Sequence, residues 1–300
     1  MLALSRSECQ SSLVDHPDPD DQPDRADSLG PWREVADGVW VAVAEPDTVN
    51  LGLVVGETGA LLVDTGSSPR QGRAVRAAVA ALTDRPLVAV VVTHAHDDHV
   101  FGLAAFDDVR TIGHESVADW LAGPDAAGHA AEHGVAVAEL VGPNAPLVVA
   151  AAVDLGGRRV EVAHLGRGHT ASDLVVVVPD ADLVFAGDLV ESAGPPAFGP
   201  DSFLHEWAVS LDGLIGLMTK DTRAVPGHGE PVDREFVYEA RGRVASVSGE
   251  LRRLAEEGVA VADVAARGQW PYPVEALAPG LPVAYAQLGP VTPRRRLPLA

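Results

Sequence analysis

Val91-Val92-Thr93-His94-Ala95-His96-Asp97-Asp98-His99 ends an apolar run abruptly and then sets five ionisable side chains within six residues. Leu87 to Val92 is apolar and mostly β-branched with no polar alternation, the pattern of a strand covered on both faces, and Thr93 marks its end. His94 and His96, two apart in extended backbone, can point to one side of that strand end. Asp98 and His99 can turn to a neighbouring point if the chain tightens into a turn or helix start. Imidazole nitrogens and a carboxylate converging on one spot suit zinc, or iron or manganese where the site is richer in oxygen. The alternative is a solvated polar loop, and so dense a His/Asp spacing argues against it.

The 300-residue chain is 47% hydrophobic with 30 Gly and 23 Pro, a globular composition long enough for one α/β domain with appendages. A formal charge of -21, with Lys220 the sole lysine, argues against an extended nucleic-acid or anionic-membrane footprint and favours a small-molecule substrate. The single cysteine, Cys9, leaves neither an intramolecular disulfide nor a thiolate metal site, so any metal is held by His and carboxylate. No apolar run reaches the ~20 residues needed to span a bilayer, and the N-terminus lacks the pattern of a secretory signal, so the chain is read as cytoplasmic. Residues 1–30 include the acidic, proline-rich Asp15 to Asp27 and are expected to form a mobile tail in which His16 is merely solvated.

Val39 to Ala44, Leu51 to Val55 and Ala60 to Val63 read as strands, the last two joined by Gly56-Glu57-Thr58-Gly59 in hairpin fashion. After Asp64-Thr65-Gly66, Pro69 to Leu82 is a helix with a solvent-facing stripe of Arg70, Arg73 and Arg76. A strand near Val109 to Ile112, a helix from Glu115 to Leu121 and another from Asp125 to Glu132 follow. His129 and His133, four apart on the last of these, have a metal-clamping spacing but no adjacent third ligand, and are read as exposed helix histidines. In the second half, Val148 to Val153, Arg159 to Ala163, Leu174 to Val178 and Leu183 to Ala186 are strands. Ionisable residues again follow strand ends: His169 in Gly166-Arg167-Gly168-His169-Thr170, Asp188 in Phe185-Ala186-Gly187-Asp188 and His228 in Val225-Pro226-Gly227-His228-Gly229. Each glycine permits a close backbone approach or a positive φ.

The order His-x-His-x-Asp-His, Gly-His-Thr, Gly-Asp, Pro-Gly-His-Gly over residues 35 to 230 resembles the metallo-β-lactamase fold superfamily. The resemblance implies an α+β fold, an αββα sandwich of two mixed sheets flanked by helices, with metals at one edge. It also implies two ligand sets: His94, His96 and His169 on one metal, Asp98, His99 and His228 on the other, and Asp188 bridging them. Asp64 becomes a support rather than a ligand, and Asp97 the variable position of the motif. Five neutral imidazoles and two carboxylates leave two divalent cations, zinc first and iron or manganese second, with net positive charge, enough to hold a hydroxide nucleophile at neutral pH. Asp98 is the residue placed to orient that nucleophile or accept its proton. His164 is read either as lining the site or as a satisfied strand-end histidine.

Within the superfamily, flavodiiron-type members have Glu at the place of His96, nucleases carry basic surfaces, and the best-known zinc β-lactamases have Cys at the place of Asp188. A bridging Asp looks like glyoxalase II, the lactonases and related hydrolases of ester, thioester, lactone or β-lactam carbonyls. It also resembles persulfide dioxygenases with a single iron, an oxidoreductase alternative.

Glu191 to Pro200, rich in Gly, Pro and Ala, forms the expected substrate wall, with Ser202 capping a helix from Phe203 to Met218. Phe198 and His205 either reach the pocket or belong to a surface loop. Residues 31–232 thus form the catalytic domain and 233–300 a C-terminal helical extension. That extension opens with a long helix from Asp233 to Glu257, and its Trp270, Tyr272 and Leu281 to Leu288 cap either the active site or a second copy in a homodimer. Arg294-Arg295-Arg296 is read as a solvated basic tail.

Overall fold

The structure, a computed structural model, describes residues 27–289. Its first half runs β1 (Arg33–Ala36), β2 (Val39–Ala44), β3 (Val49–Val55), β4 (Ala60–Val63), α1 (Pro69–Leu82), β5 (Leu87–Val91), α2 (Asp97–Val100), β6 (Arg110–His114), α3 (Val117–Leu121), α4 (Pro124–Glu132) and β7 (Ala145–Leu147). The second half runs β8 (Ala150–Asp154), β9 (Arg159–His164), β10 (Leu174–Val178), β11 (Leu183–Glu191), α5 (Trp207–Leu217), β12 (Arg223–His228) and β13 (Val232–Asp233). Four helices close it: α6 (Arg234–Glu256), α7 (Val264–Arg267), α8 (Val274–Leu277) and α9 (Leu281–Gln287).

Strand pairing gives two mixed sheets, β7-β6-β5-β4-β3-β2-β1 and β8-β9-β10-β11-β12-β13, stitched together at the single pair His228↔Val49. The side-chain period of two explains why their central strands are apolar on both faces. Leu61 and Val63 of β4 and Ala89 and Val91 of β5 point inward, meeting Leu174, Val176 and Phe185 from the other sheet. Their neighbours Ala60, Leu62 and Val90 point outward onto Val75 and Val79 of α1. On the far side Val175, Val184 and Ala186 pack outward against Trp207, Leu211 and Leu214 of α5 and Val244 and Leu251 of α6. Helices, sheet, sheet and helices are therefore stacked around three apolar layers, the αββα arrangement. No helix among the described residues is long and apolar enough to cross a membrane.

Several elements differ from their sequence reading. Asp27 accepts from Ser68 Oγ and Arg70, and Leu29 bridges to Ala44, so the chain is already tied to the fold at residues 27–30. The remaining tail residues, Cys9, His16 and Arg294 to Arg296 among them, lie outside the described residues. The short β7 contains Pro146 and β12 contains Pro226 and Gly227, residues whose missing donor or side chain hides a strand from pattern reading. Helix α5 starts at Trp207, not Phe203, because the Ser202 hydroxyl donates to His169 O and accepts from Gly199 N instead of capping a helix. In the extension, Val264, Leu277, Leu281 and Ala284 are buried in the layer that contains α5 and α6, so the segment caps its own domain.

Candidate metal centre

The end of β5 with the start of α2, the loop after β9, the second half of β11 and the end of β12 meet at one edge, where the two sheets are joined. There the structure brings together His94, His96, Asp98, His99, His169, Asp188 and His228. His94, His96, His169 and Asp188 offer donor atoms within 4.8 Å of one another, and Asp98, His99 and His228 do the same beside them. In the first group His96 Nδ1 lies 3.2 Å from His94 Nε2 and 2.9 Å from His169 Nε2, and His169 Nε2 lies 3.5 Å from Asp188 Oδ2. In the second, Asp98 Oδ2 is 3.3 Å from His99 Nε2 and 3.2 Å from His228 Nε2. Asp188 faces both, with Oδ1 3.4 Å from His99 Nε2 and Oδ2 3.6 Å from His228 Nε2.

These residues fit a pair of cations. Donors bound at ~2.0–2.1 Å to a tetrahedral zinc stand about 3.3 Å apart, which matches the spacings within each set. The buried His99 Nε2 and Asp188 Oδ1 have no hydrogen-bond partner, which is costly unless something else binds them. Three of the outer ring nitrogens, by contrast, are occupied. His169 Nδ1 donates to Ala197 O at 3.1 Å, His96 Nε2 to Asp201 Oδ2 at 2.9 Å and His99 Nδ1 to Asp64 Oδ2 at 2.9 Å. A proton on each outer nitrogen leaves the inner lone pair free to ligate.

Electrostatics agree. Burial holds His94 well below the ordinary imidazole value and pushes His169 down to about 4, so both are neutral donors. Burial also disfavours the charged forms of Asp98 and Asp188, yet the adjacent imidazoles, His99 first, hold both carboxyls well below their usual range. Burial opposes charge on His99 and His228 as well, but the carboxylates outweigh it, holding His99 well above its ordinary value and raising His228 to about 11. The two buried carboxylates thus demand positive charge. Protons supply it in the metal-free protein, and divalent cations supply it in their place.

Local backbone makes the convergence possible. Asp64, at φ 61°, accepts from Thr93 N at 2.7 Å and Thr93 Oγ1 at 2.8 Å besides holding His99. Gly227 lets β12 pass against β11: a Cβ there would sit 1.7 Å from Asp188 Oδ1. Gly227→Ala is therefore expected to displace the Asp188 carboxylate and cut zinc affinity by about 10–100-fold, the range typical of disturbed ligand support. Competition for zinc with a chromophoric chelator checks this, and wild-type affinity in the variant would refute it.

Sequence reading missed Asp201 and the carbonyl of Ala197. Asp201 lies 105 residues from its partner His96, in a Gly/Pro-rich loop, so no local pattern points to it. The exposed-histidine reading of α4 is corrected: His133 Nε2 meets Asp97 Oδ2 at 2.6 Å, and His129 Nδ1 lies 3.3 Å from Asp97 Oδ1. Asp97 thereby ties α4 to the metal-facing loop. His164 is a satisfied strand-end histidine, its Nδ1 donating to Asp173 O and its ring stacked on His114. Phe198 neither lines the site nor sits on the surface; it is buried against Trp207 and Tyr272. His205 bonds Ser248 and Ala284 O.

Beside His96 and His169 opens a cavity of about 420 Å³ between α3, α4 and the 197–201 loop. A hollow of about 500 Å³ near Glu34 and Arg158 lies among the turns at the other end of the strands, away from every donor atom.

Residues 44–229 match the family model described as Metallo-beta-lactamase superfamily. The chain is 26% identical over 206 residues to the Metallo-beta-lactamase type 2 of Bacillus cereus, covering 68% of this chain and 75% of that one. It is 28% identical over 231 residues to the Acyl-coenzyme A thioesterase MBLAC2 of Gallus gallus, covering 69% and 81%. The solved metallo-beta-lactamase of Pontibacter korlensis superposes with a TM-score of 0.59 at 23% identity, over 73% of this chain and 99% of that one, a likeness of fold. The matched span contains all seven converging residues from His94 to His228, and the chain belongs to the metallo-beta-lactamase superfamily.

Proposed function

We propose that this chain is a dinuclear zinc hydrolase that cleaves a carbonyl substrate, an ester, thioester, lactone or β-lactam, of small size. The observation that carries the reading is the Asp188 carboxylate, which faces two separate donor sets. In this reading His94, His96 and His169 hold one ion, Asp98, His99 and His228 the other, and Asp188 is shared. Five imidazoles against two carboxylates favour zinc over the harder cations, with iron and manganese as the other metals such a set accepts. When bound, such ions acidify water to a nucleophile at neutral pH and polarise the scissile carbonyl.

The protein's own residues do the rest. Asp98, 13% exposed and with Oδ2 3.3 Å from His99 Nε2 and 3.2 Å from His228 Nε2, is placed to orient the attacking water and receive its proton. Asp64, Ala197 and Asp201 hold three imidazole rings in register, which keeps the donors preorganised and leaves little reorganisation for the reaction itself. Relatives named as a β-lactamase and as an acyl-coenzyme A thioesterase support carbonyl hydrolysis as the reaction class.

The single-iron dioxygenase alternative has less support, since it leaves the second donor set, with its unpartnered His99 Nε2, without a role. The test is to assay zinc-loaded and chelator-stripped protein against S-lactoylglutathione, an acyl-homoserine lactone, nitrocefin and a phosphodiester reporter. Zinc-dependent turnover of at least one carbonyl substrate is expected. Turnover of the phosphodiester alone, or iron-dependent oxygen uptake with a persulfide, would sink the proposal.

A further inference from the structure

The cavity beside His96 and His169 has a chemistry of its own. Its walls are Trp120 on α3, Asp125, His129 and Glu132 on α4, and Asp201 on the loop opposite, and no lysine or arginine lines it. Asp201 is committed to His96. His129, also on this wall, leans toward Asp97 at 3.3 Å and Glu132 at 3.8 Å. Asp125 and Glu132 are exposed at the cavity mouth, one helical turn and three residues apart from His129 on either side of it. The half-buried Trp120 ring stands 5.9 Å from the His96 ring and 6.2 Å from the His129 ring. Arg167, only two residues before His169, is taken up by Glu206 and the face of Phe203.

We infer that this cavity selects a cationic substrate: an ammonium group seats against Trp120 between Asp125 and Glu132 while the scissile carbonyl lies over the metal-facing edge of His96 and His169. The inference rests on the hydrolase reading for the reaction but not for the binding. An aromatic face attracts a cation through its quadrupole, and carboxylates at the mouth of a partly desolvated cleft add to that attraction. A phosphate- or carboxylate-bearing substrate meets like charge there and finds no guanidinium or ammonium to pair with. A net charge of -21 extends the same bias over the whole surface and steers cations inward.

The test uses three thioesters with one acyl group: butyrylthiocholine, its neutral isostere S-(3,3-dimethylbutyl) thiobutyrate and the anionic 3-(butyrylthio)propanoate. With zinc-loaded full-length protein, kcat/KM for the cationic ester should exceed that of the neutral isostere by about tenfold, chiefly through KM, and the anionic ester should be poorest. In Asp125→Asn/Glu132→Gln, both changes lying on the exposed surface of α4, the cationic-to-neutral ratio should fall toward one. A ratio at or below one in the wild type, or a ratio that survives the double substitution, overturns the inference. Binding of benzyltrimethylammonium, followed by tryptophan fluorescence, separates the two claims. Binding that the double substitution abolishes, with no thioester cleaved, would leave the cavity's selectivity standing and count against the hydrolase. Cleavage of the neutral ester with no ammonium binding would do the reverse.

Discussion

Asp188→Ala is expected to lower turnover about a thousandfold and to remove at least one zinc from the protein. The reason is positional. Asp188 Oδ2 lies 3.5 Å from His169 Nε2 and 3.6 Å from His228 Nε2, while Oδ1 faces His99, so deleting one carboxylate strips both donor sets at once. Losing about 4 kcal/mol of charge stabilisation in the transition state corresponds to roughly three orders of magnitude in rate. Asp97→Ala is the matched control, since its carboxylate turns away from the donors to His133 and His129. About a tenfold loss is expected there, as for a group that supports a site from outside. Steady-state kinetics with metal analysis of both variants checks the contrast, and equal losses would mean that Asp188 is not the shared residue.

Deleting residues 260–300 is expected to lower the melting temperature by about 10 °C or more while every proposed ligand stays in the chain. Val264, Leu277 and Leu281 are at most 3% exposed, and side chains so buried contribute about 1.5–3 kcal/mol each. The segment also supports the site at one remove. Gly280 lies against the carbonyls of Phe198 and Gly199, Tyr272 stacks on Phe198, and Gln287 donates to Ser202 O. Those contacts back the 197–202 loop, whose Ala197 and Asp201 orient His169 and His96. The truncation should therefore also weaken zinc binding. Thermal melting and zinc content measured together decide it: a truncated chain that melts with the parent would show the segment is not packed as described.

What the sequence made legible follows from local pattern. Strands buried on both faces are continuous apolar runs, so Ala60–Val63 and Leu174–Val178 are read to the residue. His169, Asp188 and His228 stand in short motifs beside glycines, His94 to His99 follow directly on an apolar strand, and the structure gathers all seven residues at one edge. What stayed hidden depends on tertiary proximity. Asp201 acquires its role only because the loop after β11 folds back over His96, and His133 because α4 docks on Asp97. Arg223–His228 hides as a strand because Pro226 and Gly227 break the pattern, yet its path against β11 is what presents His228 and makes Gly227 indispensable.

Whether two ions share Asp188 is decided by zinc stoichiometry at saturation joined to anomalous scattering from crystals of the zinc-loaded protein. Two zincs per chain about 3.5–4 Å apart are expected, with the Asp188 carboxylate between them. One ion per chain at saturating zinc, with His228 and Asp98 unligated, would contradict it.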